Sequence, residues 1–152
     1  GAEAYDPSAD AWRDIRPLPF GACACACSDG DFVFVATWGA DNPEGTKSTK
    51  RGGKDPRVGE AGALWRYDPA GDGYERLSGL PLPEWYGFAM CAHSGWVYCV
   101  GGSTRGRWTG AAFRTRVGGG ACVEEGDGAW EELPPMKMVR RRTAAAVARG
   151  GA

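Results

Sequence analysis

A motif that returns after some sixty residues constrains this chain more than anything else in it. AEAYDPSADAWRDI (2–15), LWRYDPAGDGYERL (64–77) and GACVEEGDGAWEEL (120–133) superimpose without gaps. Tyr5, Tyr67 and Val123 share one column, Trp12, Tyr74 and Trp130 a second, and Ile15, Leu77 and Leu133 a third. The second column recurs at intervals of 62 and 56 residues. A repeat of this length is one small supersecondary unit that cannot bury its own faces, so such units must stack on one another.

A second block lies between those copies. CSDGDFVFVAT (27–37) aligns without gaps on AHSGWVYCVGG (92–102), each with a turn glycine, Gly30 or Gly95, before a short apolar run. That run ends in Gly101-Gly102 in one copy and Ala36-Thr37 in the other, and MKMVRRRTAAAVARGGA enters the same block again up to Gly150. With 25 glycines and 10 prolines, the elements between turns must be short. Each unit therefore reads as four strands. In the first full unit they fall near 21–28, 31–37, 63–67 and 74–77. In the second they fall near 87–93, 96–100, somewhere within 111–124, and 129–133. The chain divides into the end of a unit (1–18), two full units (19–80 and 81–134) and the first strand of another (135–152).

An apolar run followed by Gly-Gly, then spaced Tyr and Trp, then L-P-P-M and an arginine, resembles the kelch repeat. The unit 81–134 and the following LPPMKMVRRRTAAAVA match it best, whereas the unit 19–80 has Ala36-Thr37 for the diglycine and Tyr74 for the tryptophan. The resemblance implies an all-β fold, a partial kelch-type β-propeller of about three four-stranded antiparallel blades in an open arc. It further implies that the innermost strand comes first in each blade, and that the remaining blades come from the rest of a longer chain. Large aromatics such as Trp12, Tyr74 and Trp130 would then fill the space between neighbouring sheets.

Eighteen basic against nineteen acidic residues leave a net charge of -1, so bulk charge calls for neither nucleic acid nor membrane as partner. No apolar run approaches the ~20 residues of a membrane span, and the start GAEAYDPSADAW has no basic or apolar leader segment. Of the six cysteines, Cys23, Cys25 and Cys27 alternate, which in a strand places them on one face. Their spacing is not C-x2-C and His93 is the lone histidine, so the thiols read as small buried strand residues of a reducing cytoplasmic or nuclear setting. A thiol sensor is the alternative. The expected cofactor and metal content is none, and the expected class is not an enzyme. The enzymatic alternative is a kelch propeller of the galactose-oxidase copper type or a sugar mutarotase; a copper site needs more histidine than one. Neither G-x-S-x-G nor G-x-x-x-x-G-K-[ST] occurs.

Function on a repeat scaffold concentrates in loops. The insert 38–60 carries Lys50 and Arg51 in a basic centre with Lys47 and Lys54. The matching segment of the next unit, STRGRWTG, carries Arg105, Arg107 and Trp108. The connections between units bring Trp85 and Tyr86 in LPLPEWYG, and Arg140, Arg141 and Arg142 in PPMKMVRRR. Strand order puts all of these on one face. In kelch substrate receptors this face binds peptides, often through an arginine at the start of a first strand, the position of Arg142. The expected partner is another protein, engaged through an acidic peptide segment. The resemblance implies a role as substrate receptor of a ubiquitin ligase, with an F-box or BTB region elsewhere.

Overall fold

The computed structural model describes residues 1–18, 22–38, 62–118 and 128–147, and every regular element among them is a β-strand. The first two strands, β1 (Ala2–Asp6) and β2 (Ala11–Ile15), form an antiparallel hairpin. Four strands follow as a meander: β3 (Ala22–Ser28), β4 (Val33–Trp38), β5 (Ala63–Asp68) and β6 (Gly73–Gly79). A second four-stranded antiparallel sheet holds β7 (Ala89–His93), β8 (Trp96–Val100), β11 (Ala112–Arg116) and β12 (Trp130–Leu133), in that spatial order. Between β8 and β11 sits a minimal hairpin, β9 (Ser103–Thr104) with β10 (Arg107–Trp108). The strands expected from the repeat all form within a few residues of their sequence bounds, save the one at 135–152. Residues 134–147 make no strand, and 148–152 lie outside the described residues.

The two full sheets repeat each other in detail. Across the first, Cys27, Phe34, Arg66 and Glu75 stand side by side; across the second, Cys91, Tyr98, Arg114 and Glu131 do. In each row the arginine binds the glutamate, at 2.7 Å for Arg66–Glu75 and 2.8 Å for Arg114–Glu131. Each guanidinium also lies over an aromatic ring, Arg66 on Phe32 at 4.7 Å and Arg114 on Trp96 at 4.3 Å. This register corrects the gapless alignment, which pairs Cys27 with Ala92, one residue too far. It also corrects a column: opposite Trp130 stands Thr115, where opposite Trp12 and Tyr74 stand Tyr5 and Tyr67. Val123 lies outside the described residues. The connection after β11 is longer than in the other copies, so a gapless overlay slides past the strand.

The core lies between the two sheets. Phe34, Ala36 and Leu64 of the first meet Met90, Val97, Cys99 and Phe113 of the second. Each large side chain buried there contributes about 1.5–3 kcal/mol. The first strands, β3 and β7, run beside each other. Outer strands are tied as well: the Trp130 indole N–H donates to the Gly79 carbonyl (2.7 Å) and the Ser78 hydroxyl (3.1 Å). One unit earlier, the Arg16 backbone N–H donates to Asp72 Oδ1 at 2.9 Å, tying the β1–β2 hairpin to the β3–β6 sheet. The inter-sheet aromatic role thus holds for Trp130, while Trp12 is 67% exposed among the described residues.

The cysteines are free thiols at Cys25, Cys27, Cys91 and Cys99. The β3–β4 register slips between Cys23 and Cys25. Burial pushes Cys27 up to about 12, and nearby thiols add to the shift.

Candidate functional site

Three loops meet at one end of the β7–β12 sheet: 81–88, 101–110 and 134–142. The repeat diglycine is what lets them meet. Gly101 and Gly102 adopt φ of +71° and +88°. A Cβ on Gly102 would lie 2.7 Å from the Tyr86 carbonyl oxygen and 2.8 Å from the Phe88 nitrogen. A Cβ on Gly101 would lie 2.7 Å from the Arg140 carbonyl oxygen. Backbone passes so close here that only glycine fits.

Main-chain hydrogen bonds then lock the loops together. Tyr86 and Ser103 exchange both bonds, at 3.0 and 2.9 Å. The Gly102 N–H donates to the Arg140 carbonyl and the Arg142 N–H to the Gly87 carbonyl, each at 2.6 Å. Met136 N–H donates to the Gly110 carbonyl at 2.8 Å, and the Thr104 hydroxyl to the Pro83 carbonyl at 2.5 Å. The β9–β10 turn is formed by Arg105 (φ +48°) and Gly106 (φ +75°), the two left-handed residues of a tight hairpin.

Of the residues singled out on this face, Trp85 has a different job. It is 1% exposed, stacks on Phe88 with centroids 4.4 Å apart, and donates its indole N–H to the Gly101 carbonyl at 2.7 Å. Contrary to the expectation from sequence, it is a core residue beneath the loops, with its one polar atom satisfied by the diglycine, and has no exposed ring to offer a partner. Tyr86, Arg105, Arg107, Trp108, Arg140, Arg141 and Arg142 are all exposed, and the loop contacts bring them together on one surface. Lys50 and Arg51 lie outside the described residues. Trp108 is 54% exposed, and the Arg141 guanidinium sits 4.7 Å from its ring centroid. Lys137, Met138 and Val139, which no motif marks, are also exposed in the same crossover. Their signal was only that they belong to PPMKMVRRR.

Charge on this surface is one-sided. The three loops hold Arg105, Arg107, Lys137, Arg140, Arg141 and Arg142 against a single acid, Glu84. Chemically the face offers fork-shaped donors around a partly covered indole, suited to carboxylates flanking an apolar or aromatic group.

No family model matches the sequence, and no curated protein matches it. Solved structures do match. The structure of YjhT superimposes with a TM-score of 0.58 at 16% sequence identity, over 90% of this chain and 44% of that one. At such identity the likeness concerns the fold alone. The chain spans less than half the length of YjhT.

Proposed function

We propose that the chain is an arc of a kelch-type β-propeller that recognises another protein, gripping an acidic peptide segment on the loop face of the β7–β12 sheet. The recurrence of the Cys–aromatic–Arg–Glu row from sheet to sheet, and of the tie between outer strands, supports blades related by rotation about an axis. The observation that carries the binding role is the bracket of three loops, locked by backbone bonds and presenting five exposed arginines together with Trp108, on whose ring Arg141 lies. Locked loops lose little entropy on binding, and Arg with Trp is the usual composition of a binding hot spot. Presentation of the captured partner to a ubiquitin ligase is the further role that the kelch resemblance implies.

An Arg107→Ala/Arg142→Ala variant tests this reading. Binding of a fluorescent peptide rich in Asp and Glu is measured by anisotropy against a scrambled, neutralised control. The expected result is loss of acidic-peptide binding, with thermal unfolding nearly unchanged because both side chains are exposed. Equal binding by the variant, or loss that comes only with unfolding, would place recognition elsewhere.

A further inference from the structure

Three thiols meet where the two four-stranded sheets press together. In β3, Cys25 pairs with Ala36 and Cys27 with Phe34. Directly opposed residues of an antiparallel ladder share a face, so both thiols stand on the side that Phe34 and Ala36 turn to the core. In β8, Cys99 stands between Met90 and Phe113, on the core side of its own sheet. Cys25 and Cys27 pack against the same core that holds Cys99, and their edge strand β3 runs beside β7. Cys91 pairs with Tyr98, one residue along from the Met90–Cys99 pair, and so stands on the other face of its sheet. Both sheets of this seam have all four strands, so what flanks them does not enter.

Exposure divides the three. Cys99 is fully buried, whereas Cys25 and Cys27 are partly exposed. An oxidant dissolved in water therefore reaches β3 first, and Cys99 is left as an internal partner. Burial holds Cys99 well above the usual thiol range, and the neighbouring Cys27 and Cys25 thiols add to the shift. Of those two, Cys27 acts on Cys99 the more strongly, which marks it as the nearer. Cys25 and Cys27 lie two apart on one strand with their side chains parallel, and are badly placed to join each other. Thiols held high yield little thiolate, so chemistry at this seam is slow.

We propose that Cys27 and Cys99 form an oxidative staple, a reversible disulfide that ties the β3–β6 sheet to the β7–β12 sheet across their shared core. The oxidant is a peroxide. The Cys27 sulfur attacks one peroxide oxygen, the O–O bond breaks, and Cys27 becomes a sulfenic acid as the first water leaves. The Cys99 sulfur then attacks the Cys27 sulfur. The S–S bond forms, the S–O bond breaks, and the hydroxyl departs with the Cys99 proton as a second water. Two thiols are oxidised by two electrons in all, and one hydrogen peroxide is reduced to two waters. A dithiol reverses the step by exchange. The staple fixes β8 two residues before the diglycine, at the base of the loop bracket, and is independent of what the loop face binds.

Prolonged treatment of the whole folded chain with hydrogen peroxide, then alkylation, non-reducing tryptic digestion and mass spectrometry, tests the proposal. The peptide bearing Cys27 should be found joined to the one bearing Cys99, two hydrogens lighter than their sum. Trypsin leaves Cys25 with Cys27 and Cys91 with Cys99, so serine variants assign the partners. Cys27→Ser should abolish the link, while Cys25→Ser and Cys91→Ser should keep it. The oxidised chain should unfold at a higher urea midpoint than the reduced one, and dithiothreitol should bring it back. Circular dichroism checks that each variant keeps its β-sheet, and Cys27→Ala replaces Cys27→Ser if that one unfolds. A folded chain that resists peroxide, or oxidises without this link, would overturn the proposal. So would a link that survives in the folded Cys27 variant or is lost in Cys25→Ser or Cys91→Ser.

Discussion

Replacing Gly102 by alanine should cost far more stability than the same change at Gly106, although both residues have positive φ. At Gly106, φ is +75° and nothing lies within 4 Å of an added Cβ. Only the left-handed backbone is penalised there, by about 1–2 kcal/mol. At Gly102, φ is +88° and the new methyl meets three backbone atoms, Tyr86 O at 2.7 Å, Phe88 N at 2.8 Å and Phe88 Cα at 3.0 Å. Backbone cannot rotate aside as a side chain can, so an overpacking cost of about 1–3 kcal/mol is added. If the loop shifts to relieve it, the Gly102–Arg140 hydrogen bond at 2.6 Å is lost, worth about another 1 kcal/mol. The total reaches about 3–6 kcal/mol, a large share of the roughly 5–15 kcal/mol that holds a domain folded. Urea unfolding followed by tryptophan fluorescence measures both variants, and a fall in midpoint at constant slope reports stability alone. Equal midpoints for the two alanine variants would show that the loops do not meet at Gly102 as described.

Trp130→Phe removes the indole donor shared by Gly79 and Ser78 and should lower stability by about 1–2 kcal/mol in the same assay, whereas Trp12→Phe, on an exposed ring, should change it little at protein concentrations where the chain is monomeric. The Arg16 N–H and the Tyr67 hydroxyl hold Asp72 below the usual carboxylate range. A lowered folded value gives stability that is present above the unfolded pKa of about 4 and is lost as pH falls through the folded one. Asp72→Asn should therefore flatten the acid limb of a stability–pH curve, and an unchanged limb would refute the assignment. Burial and the Asp72 contact push Tyr67 up to about 12, so its contribution is intact below pH ~10 and is lost as pH rises towards 12; Tyr67→Phe should abolish that alkaline loss. Ellman's reagent should find six thiols after denaturation without reductant, and in the native chain should react slowly at Cys27 and Cys99, both shifted upward by burial. A denatured count of four or fewer would overturn the free-thiol reading.

The strands were legible because each is marked twice, by an apolar run and by the turn chemistry beside it. Ser94-Gly95 and Asp10 show how: Gly95 has φ +76°, Ser94 +50° and Asp10 +48°, all positions where small or polar residues tolerate a left-handed turn. Register was not legible. Whether Ala92 or Cys91 matches Cys27 depends on where strand pairing begins around the turn, and Gly30 and Gly95 occupy different places in their turns. The third strand of the second full unit was ambiguous for a related reason. AAFRT and GACVE are both short and partly apolar; the first forms β11, where the buried Thr115 donates its hydroxyl to the Ala129 carbonyl at 2.8 Å, and the second lies outside the described residues.

The candidate face shows the same division between type and environment. Trp85 and Trp108 lie in loops of similar composition, and nothing local says that one is core and the other surface. The difference is made by partners distant in sequence. Phe113 and the Gly101 carbonyl close over Trp85, while Trp108 sits at the far side of a two-residue turn where only Arg141 reaches it. The arginines could be assigned to the surface from sequence because a guanidinium without an acid nearby has little reason to be buried. Arg66 marks the limit of that rule: it is as buried as Trp65, since Glu75 and Phe32 give it a charge partner and a ring within its own sheet. Arg114 has the equivalent partners and remains partly open. The same side chain in the same row is core or surface according to whether another sheet lies over it.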